Sequence, residues 1–263
     1  MNTEITMNEM LVEKPRFGAW KGIALVAILL VSQLVGSIIG GIVYAFYVAA
    51  TQGQEAVQAL AGAEPTPAMV AVIALTSALI SAALFVWISI WWARPLLRER
   101  GSQGVALTTA PNRMIGVALV AGLMMCILAV VTMNIWPANL ETLDGPLATM
   151  GRGGFWVQFA LVLFALVYAP FIEEYIFRGV LFAAFRRSWG IWPAGIVITL
   201  LFTALHAADK LDYLPGFALV FLLSIVTLVL RLRYQSLLPA ITMHFVYNLS
   251  VLLAEAIALV PTV

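Results

Sequence analysis

Long apolar runs recur along this chain, at about 22–50, 67–93, 114–135, 155–185, 191–208, 215–232 and 237–259. A helix needs about 20 mostly apolar residues to cross the hydrocarbon of a bilayer. Backbone groups in lipid must be hydrogen-bonded within the segment, so such runs are helices. The pattern predicts an all-α, polytopic transmembrane bundle of about seven spans. Composition agrees: 63% of residues are hydrophobic and 10% charged, against about 25% charged in soluble domains. The single cysteine, Cys126, excludes an intrachain disulfide and a thiolate metal cluster, and reads as an ordinary buried thiol. A net charge of +1 gives no reason to expect a nucleic-acid partner. The first apolar run is longer than the 7–15 residues of a signal-peptide core, so it reads as a retained span.

Basic residues alternate between loops. Lys14, Arg16 and Lys21 precede the first span; Arg94, Arg98, Arg100 and Arg113 follow the second. Arg186 and Arg187 follow the fourth, and Arg231 and Arg233 the sixth. The intervening loops hold only Arg152 and Lys210. The positive-inside rule then places the N-terminus in the cytoplasm and the C-terminus outside. Trp20, Trp91, Trp92, Trp136, Trp156, Trp189 and Trp192 fall near expected interfaces, as aromatic belts do. The divisions are a cytoplasmic tail at 1–21, three N-terminal spans over 22–135, and a core over 155–259. Gly36 and Gly40 form a G-x-x-x-G step that permits close helix contact, read as packing within the chain rather than dimerisation.

A few ionisable residues fall inside spans: Glu173, Glu174, Arg178, His206, His244 and Glu255. A charge at the bilayer centre costs on the order of 2.5–3.5 kcal/mol, so such groups face the bundle interior or a wet cavity. Glu255 is close enough to the end of its span to reach the interface. Pro170 precedes the carboxylates and predicts a kink, because it removes its own hydrogen bond and crowds the carbonyl of Leu166. Glu174 and Arg178 are four apart and suit an ion pair. That pair has a bland reading, as a device that fixes helix packing; Glu173, rotated by about 100°, has no local partner. The only two histidines lie in "FTALH" and "HFVYN", with Asn248 one turn after His244 and Phe202 one turn before His206 as a packing residue under its ring. At about 1.5 Å per residue, Glu173, His206 and His244 lie roughly 18, 22 and 11 Å from the cytoplasmic side. These depths permit one shared cavity opening toward the cytoplasm.

Such a cluster can hydrolyse an amide without a Ser or Cys nucleophile. A carboxylate in a low-dielectric cavity suits a general base near neutral pH, so Glu173 could deprotonate a water. His206 could hold that water, or ligate a metal that holds it. His244 and Asn248 could donate to the developing oxyanion. There is no H-E-x-x-H helix, so the ligands of any Zn2+ (Glu173, His206 and His244) come from separate helices. A metal-free, glutamate-type site uses the same inventory. The rival reading is a proton- or ion-coupled transporter with the Glu/His cluster as relay, since Pro170 could mark a discontinuous helix; paired half-repeats are missing. A third reading is an inactive membrane scaffold.

"EEYIFR" fits E-E-x-x-x-R, "FTALH" fits F-x-x-x-H and "HFVYN" fits H-x-x-x-N, in that order. In this the chain resembles the CAAX-protease and bacteriocin-processing (Abi-like) family of intramembrane endopeptidases, the type II CAAX prenyl proteases and their bacterial relatives. The resemblance covers about residues 155–255. It implies an all-helical membrane protease acting on a membrane-bound protein or peptide, lipidated and CAAX-like in the eukaryotic members. It also implies a multi-pass protein of a prokaryotic inner membrane. By motif position Glu173 and His206 activate the water, His244 and Asn248 stabilise the oxyanion, and Glu174 and Arg178 support them. The family is classed as metalloprotease, and a metal-free glutamate mechanism has also been argued for it. Some members have an eighth span, where this chain has room for seven.

Overall fold

The computed structural model describes residues 17–99, 103–137, 146–207 and 213–258. Lys14, Arg16, Arg100, Lys210 and the side chain of Glu255 lie outside what it describes. No strand occurs among the described residues. Five helices are long and apolar enough to cross a membrane: α1 (Ala19–Gln52), α3 (Pro67–Trp92), α5 (Asn112–Ile135), α7 (Phe155–Trp189) and α9 (Leu214–Tyr234). Short helices α2 (Gln54–Leu60), α4 (Arg94–Arg98) and α6 (Pro146–Gly151) lie in the connections. Two further apolar helices are α8 (Ile191–Leu205) and α10 (Leu238–Ala258). The chain is thus an all-helical, multi-pass membrane protein.

Over the expected span at 191–208 the described helix is shorter. Helix α8 ends at Leu205 and has 15 residues, or about 22 Å of rise, short of the roughly 30 Å of hydrocarbon. His206 is its C-cap, at φ −93° and ψ 4°. The cause is local: Nδ1 of His206 lies 2.8 Å from the carbonyl of Phe202, while the His206 backbone N–H turns to Thr203 O at 3.1 Å. The side chain thus satisfies a last-turn carbonyl that the helix leaves open. A histidine placed within a helix by its sequence stands instead at a helix end inside the bundle.

Helix α7 runs through the middle. Every residue from Glu174 to Phe185 is buried, whereas Phe155, Trp156 and Phe159 at its start are exposed. A helix that is apolar all round has no solvent face, and a central position buries all of it. Around it, Ala194, Ile198, Phe202, Leu219, Leu223 and Met243 complete one core. The outward faces of α1, α3 and α5 carry exposed Leu, Ile, Val and Phe side chains, as lipid contact requires. All seven named tryptophans are exposed and lie at or beside helix ends, in the positions expected of interfacial belts.

The basic loops meet at one end. The Ala19 N–H donates to Ser188 Oγ at 2.8 Å, Arg187 pairs with Glu99, and the Leu237 N–H donates to Ala106 O at 2.9 Å. Ser236 Oγ donates to Thr108 O at 2.7 Å. The start of α1, the loop before α5, the end of α7 and the α9–α10 junction therefore share one face of the bundle, as the alternation of Lys and Arg requires. The G-x-x-x-G step packs within the chain. A Cβ on Gly36 would lie 2.6 Å from Ser77 Cα, and one on Gly40 2.7 Å from Ile73 Cα, so α1 and α3 touch backbone to backbone.

Candidate active site

Helix α7 is not uniformly α-helical. Phe164–Tyr168 and Tyr175–Leu181 are wound as π-helix, flanking an α-helical Ala169–Glu174. Such insertions are rare and gather at functional sites. Pro170 accounts for the first. With no N–H to give, it leaves a carbonyl one turn back without its helical donor. The Ala169 N–H reaches back to Phe164 O, and Asn248 of α10 donates its amide Nδ2–H to Ala165 O at 2.8 Å. The expected kink thus takes the form of a π turn held by a neighbouring side chain.

The carboxylates stand between the two π stretches. Glu173 Oε2 lies 3.8 Å from His206 Nε2 and 3.9 Å from His244 Nε2. Three helices, α7, α8 and α10, therefore meet at one oxygen, itself buried and without a hydrogen-bond partner. Glu174 points elsewhere. Its Oε1 is 3.2 Å from Arg178 Nη1 and 3.0 Å from His244 Nδ1, and both Glu174 and Arg178 are wholly buried. The i,i+4 pair read from the sequence is present, and it also grips His244.

These partners set the tautomers. The Phe202 carbonyl can only accept, so Nδ1 of His206 carries the proton and Nε2 turns its lone pair to Glu173. Glu174 accepts in the same way from Nδ1–H of His244. Two imidazole nitrogens and a carboxylate oxygen, all Lewis-basic, converge. A proton, the hydrogens of a water or a metal cation can reconcile them.

The donor types suit a metal: two imidazoles and a carboxylate are a common zinc set. Each ring also gives its other N–H to a carbonyl or carboxylate, the usual support of a metal-bound histidine. The spacing is a few tenths of an ångström wide for one. Tetrahedral ligands at about 2.1 Å from zinc would stand roughly 3.4 Å apart, closer than the 3.8 and 3.9 Å seen here. Among the described residues no three acidic, imidazole or thiol groups close tightly enough to hold a metal as they stand.

Phe202 does more than fill space under His206. Its ring centroid is 4.5 Å from that of His206 and 6.2 Å from that of His244. The guanidinium carbon of Arg178 lies 4.1 Å from the ring centre, within cation–π range. Arg178 also donates through Nη2 to Ser224 O at 3.2 Å, which ties the site to α9. Sequence reasoning missed Arg231. Counted above among loop cations, it is wholly buried, and its Nε donates to Arg178 O at 3.0 Å.

Comparison with known proteins bears on this same segment. Residues 155–250 match the family model of the type II CAAX prenyl endopeptidases, Rce1-like. The resemblance carried by the three motifs therefore holds over that segment, and all the converging side chains lie within it. A 24.3 kDa Escherichia coli protein described as uncharacterized is 33% identical over 85 residues, which are 32% of this chain. The chain spans 38% of the length of that relative. No solved structure matches the chain.

Proposed function

We propose that this chain is an intramembrane endopeptidase that hydrolyses a peptide bond of a membrane-associated, CAAX-like protein or peptide in a prokaryotic inner membrane. One observation carries the proposal: a buried carboxylate oxygen of α7 within 3.9 Å of imidazole nitrogens from two other helices. The match to the Rce1-like endopeptidases over residues 155–250 supports it.

In this reading the catalytic water lies between Glu173 and His206. One of its hydrogens points to Glu173 Oε2 and the other to the lone pair of His206 Nε2. Glu173 takes the first proton as the water oxygen bonds to the scissile carbonyl carbon. The carbonyl oxygen becomes an oxyanion. When a proton joins the convergent nitrogen of His244, that Nε2–H donates to the oxyanion while Nδ1–H donates to Glu174. Asn248, one of whose N–H groups is held by Ala165 O, offers the second. Collapse breaks the C–N bond, the proton on Glu173 passes to the leaving nitrogen, the remaining hydroxyl proton passes to His206 Nε2, and a carboxylate and an amine result. Arg178 and Glu174 hold His244 in register. Should Zn2+ bind, Glu173, His206 and His244 would hold it after closing by a few tenths of an ångström, and it would supply Lewis-acid polarisation of the carbonyl.

The test is cleavage of a membrane-tethered peptide library by purified protein. Glu173→Ala, His206→Ala and His244→Ala should each lower turnover by about 100-fold or more, the scale of lost general acid–base catalysis, with folding intact. Normal turnover by Glu173→Ala would end the hydrolase assignment. Metal content and chelator sensitivity of the same preparation decide between the metal-free site and zinc. Ion flux in proteoliposomes lost on the same substitutions would favour the relay reading instead.

A further inference from the structure

Resting on that reading of the site, we infer that Arg231 is a positioning residue for the reaction, holding the second π stretch of α7 in the winding that aims Glu174 and Arg178. The observation starts in the backbone. At the end of the π stretch the Phe182 N–H bonds to Phe177 O and Gly179 O and passes over Arg178 O. An α-helix would have given that N–H to Arg178. The carbonyl so released is buried, and a buried carbonyl without a donor is destabilising. Arg231 of α9 supplies the donor, Nε to Arg178 O at 3.0 Å.

The geometry repeats that of the first π stretch, where Asn248 of α10 serves Ala165 O. Each departure of α7 from α-helix is thus held by a polar side chain from a different neighbouring helix. Arg231 has a second anchor, because its Nη2–H donates to Gly104 O and so ties the loop before α5 to the same point. Its guanidinium also faces the ring of Phe182, 5.1 Å from the centroid. Loop and helix are in close contact here, since a Cβ on Gly179 would meet Val105 Cγ1 at 2.9 Å. A charge that only anchored a helix end at the membrane interface would be exposed. Arg231 is 0% exposed, and its Nε and Nη2 donate to the carbonyls of Arg178 and Gly104.

The consequence for the site follows from helical geometry. If the π stretch rewound as α-helix, Arg178 O would recover the Phe182 N–H. The helix would then lose one residue of slack, a rotation of about 100° between its two ends. Glu174 at one end of the stretch and the buried Arg178–Phe182 face beyond it could not both keep their places. The Glu174–Arg178 pair and the grip of Glu174 on His244 would loosen.

The experiment compares wild type, Arg231→Met and Arg231→Lys in detergent. Hydrogen exchange is followed by peptide over 175–189, and kcat and KM on a cleaved membrane-tethered peptide. Arg231→Met should raise exchange at 175–182 by 10-fold or more while α1 and α3 stay protected. It should lower kcat at least 10-fold and leave KM within about twofold. Arg231→Lys, keeping one donor, should fall between Arg231→Met and wild type in both. Wild-type kcat in either variant, or exchange raised evenly over all helices, overturns the inference. If Arg231→Met does not fold, Arg231→Lys alone decides, with a lowered kcat at unchanged KM expected and an unchanged kcat overturning it. A wild type that cleaves nothing would sink the protease reading, and the local exchange at 175–182 would still judge Arg231.

Discussion

Phe202 has no chemistry of its own, yet its ring lies against Arg178 and against both imidazoles of the site. It holds His206 at the end of α8 and covers the guanidinium that pairs with Glu174. Replacing it with Leu keeps apolar bulk and removes the flat face. The expected result is turnover lowered 10-fold or more at near-normal KM, measured on the tethered peptide. Arg178 makes a sharper case. Breaking a buried ion pair by removing one partner costs about 3–5 kcal/mol, whereas replacing both by apolar residues can be close to neutral. Arg178→Met should therefore lower the Tm in detergent more than the double change Glu174→Leu with Arg178→Met, while both abolish cleavage. Equal Tm for the single and double variants would show that the pair is solvated. Of these contacts, only the i,i+4 pairing of Glu174 with Arg178 and the place of Phe202 under His206 were legible in the sequence. Depth along the helices let Glu173 share a cavity with His206 and His244, but not the distances or the atoms that meet, because the rings come from helices that begin 18 and 65 residues later.

At the scale of the helix, α7 shows what a proline can and cannot announce. Pro170 predicts a broken hydrogen bond, and the structure has one, met by a π turn and by Asn248. Asn248 and the missing N–H of Pro170 are thus two sides of one interaction. Asn248→Ala should cost about 1–3 kcal/mol by orphaning the Ala165 carbonyl. In a Pro170→Ala background, where residue 170 regains its N–H, the same change should cost less. A double-mutant cycle by thermal unfolding should return a coupling of about 0.5 kcal/mol or more; additivity would show that the two act separately. The second π stretch carries no such mark. "YIFRGVL" reads as ordinary helix, because the donor that releases it is an arginine 53 residues away. The end of α8 comes earlier than the apolar run suggests, at the point where the His206 side chain takes Phe202 O and its backbone N–H turns to Thr203 O.

Across the whole molecule, α1 pairs antiparallel with α3 and packs on the buried half of α7, while α10 pairs with α5 and packs on the Phe164–Glu174 part of α7. Gly36 and Gly40 set the first distance. A valine at either would press on the backbone of α3, and overpacking costs typically about 1–3 kcal/mol. Gly36→Val and Gly40→Val should each lower the Tm in detergent and leave the oligomeric state on gel filtration unchanged; dissociation of an oligomer would instead place the step between chains. The sequence alone determined that the chain is a set of membrane helices with alternating basic ends. Apolar length and loop charge are local properties, and lipid and interface read them one segment at a time. It also determined which polar residues could not face lipid, since the cost of an unpaired charge in hydrocarbon needs no knowledge of neighbours. Only the tertiary structure decided that Glu173 meets both histidines while Glu174 and Arg178 hold one of them, and that a loop cation is a buried clamp. Those outcomes depend on the rotation and winding of each helix, which packing sets over distances that no local pattern encodes.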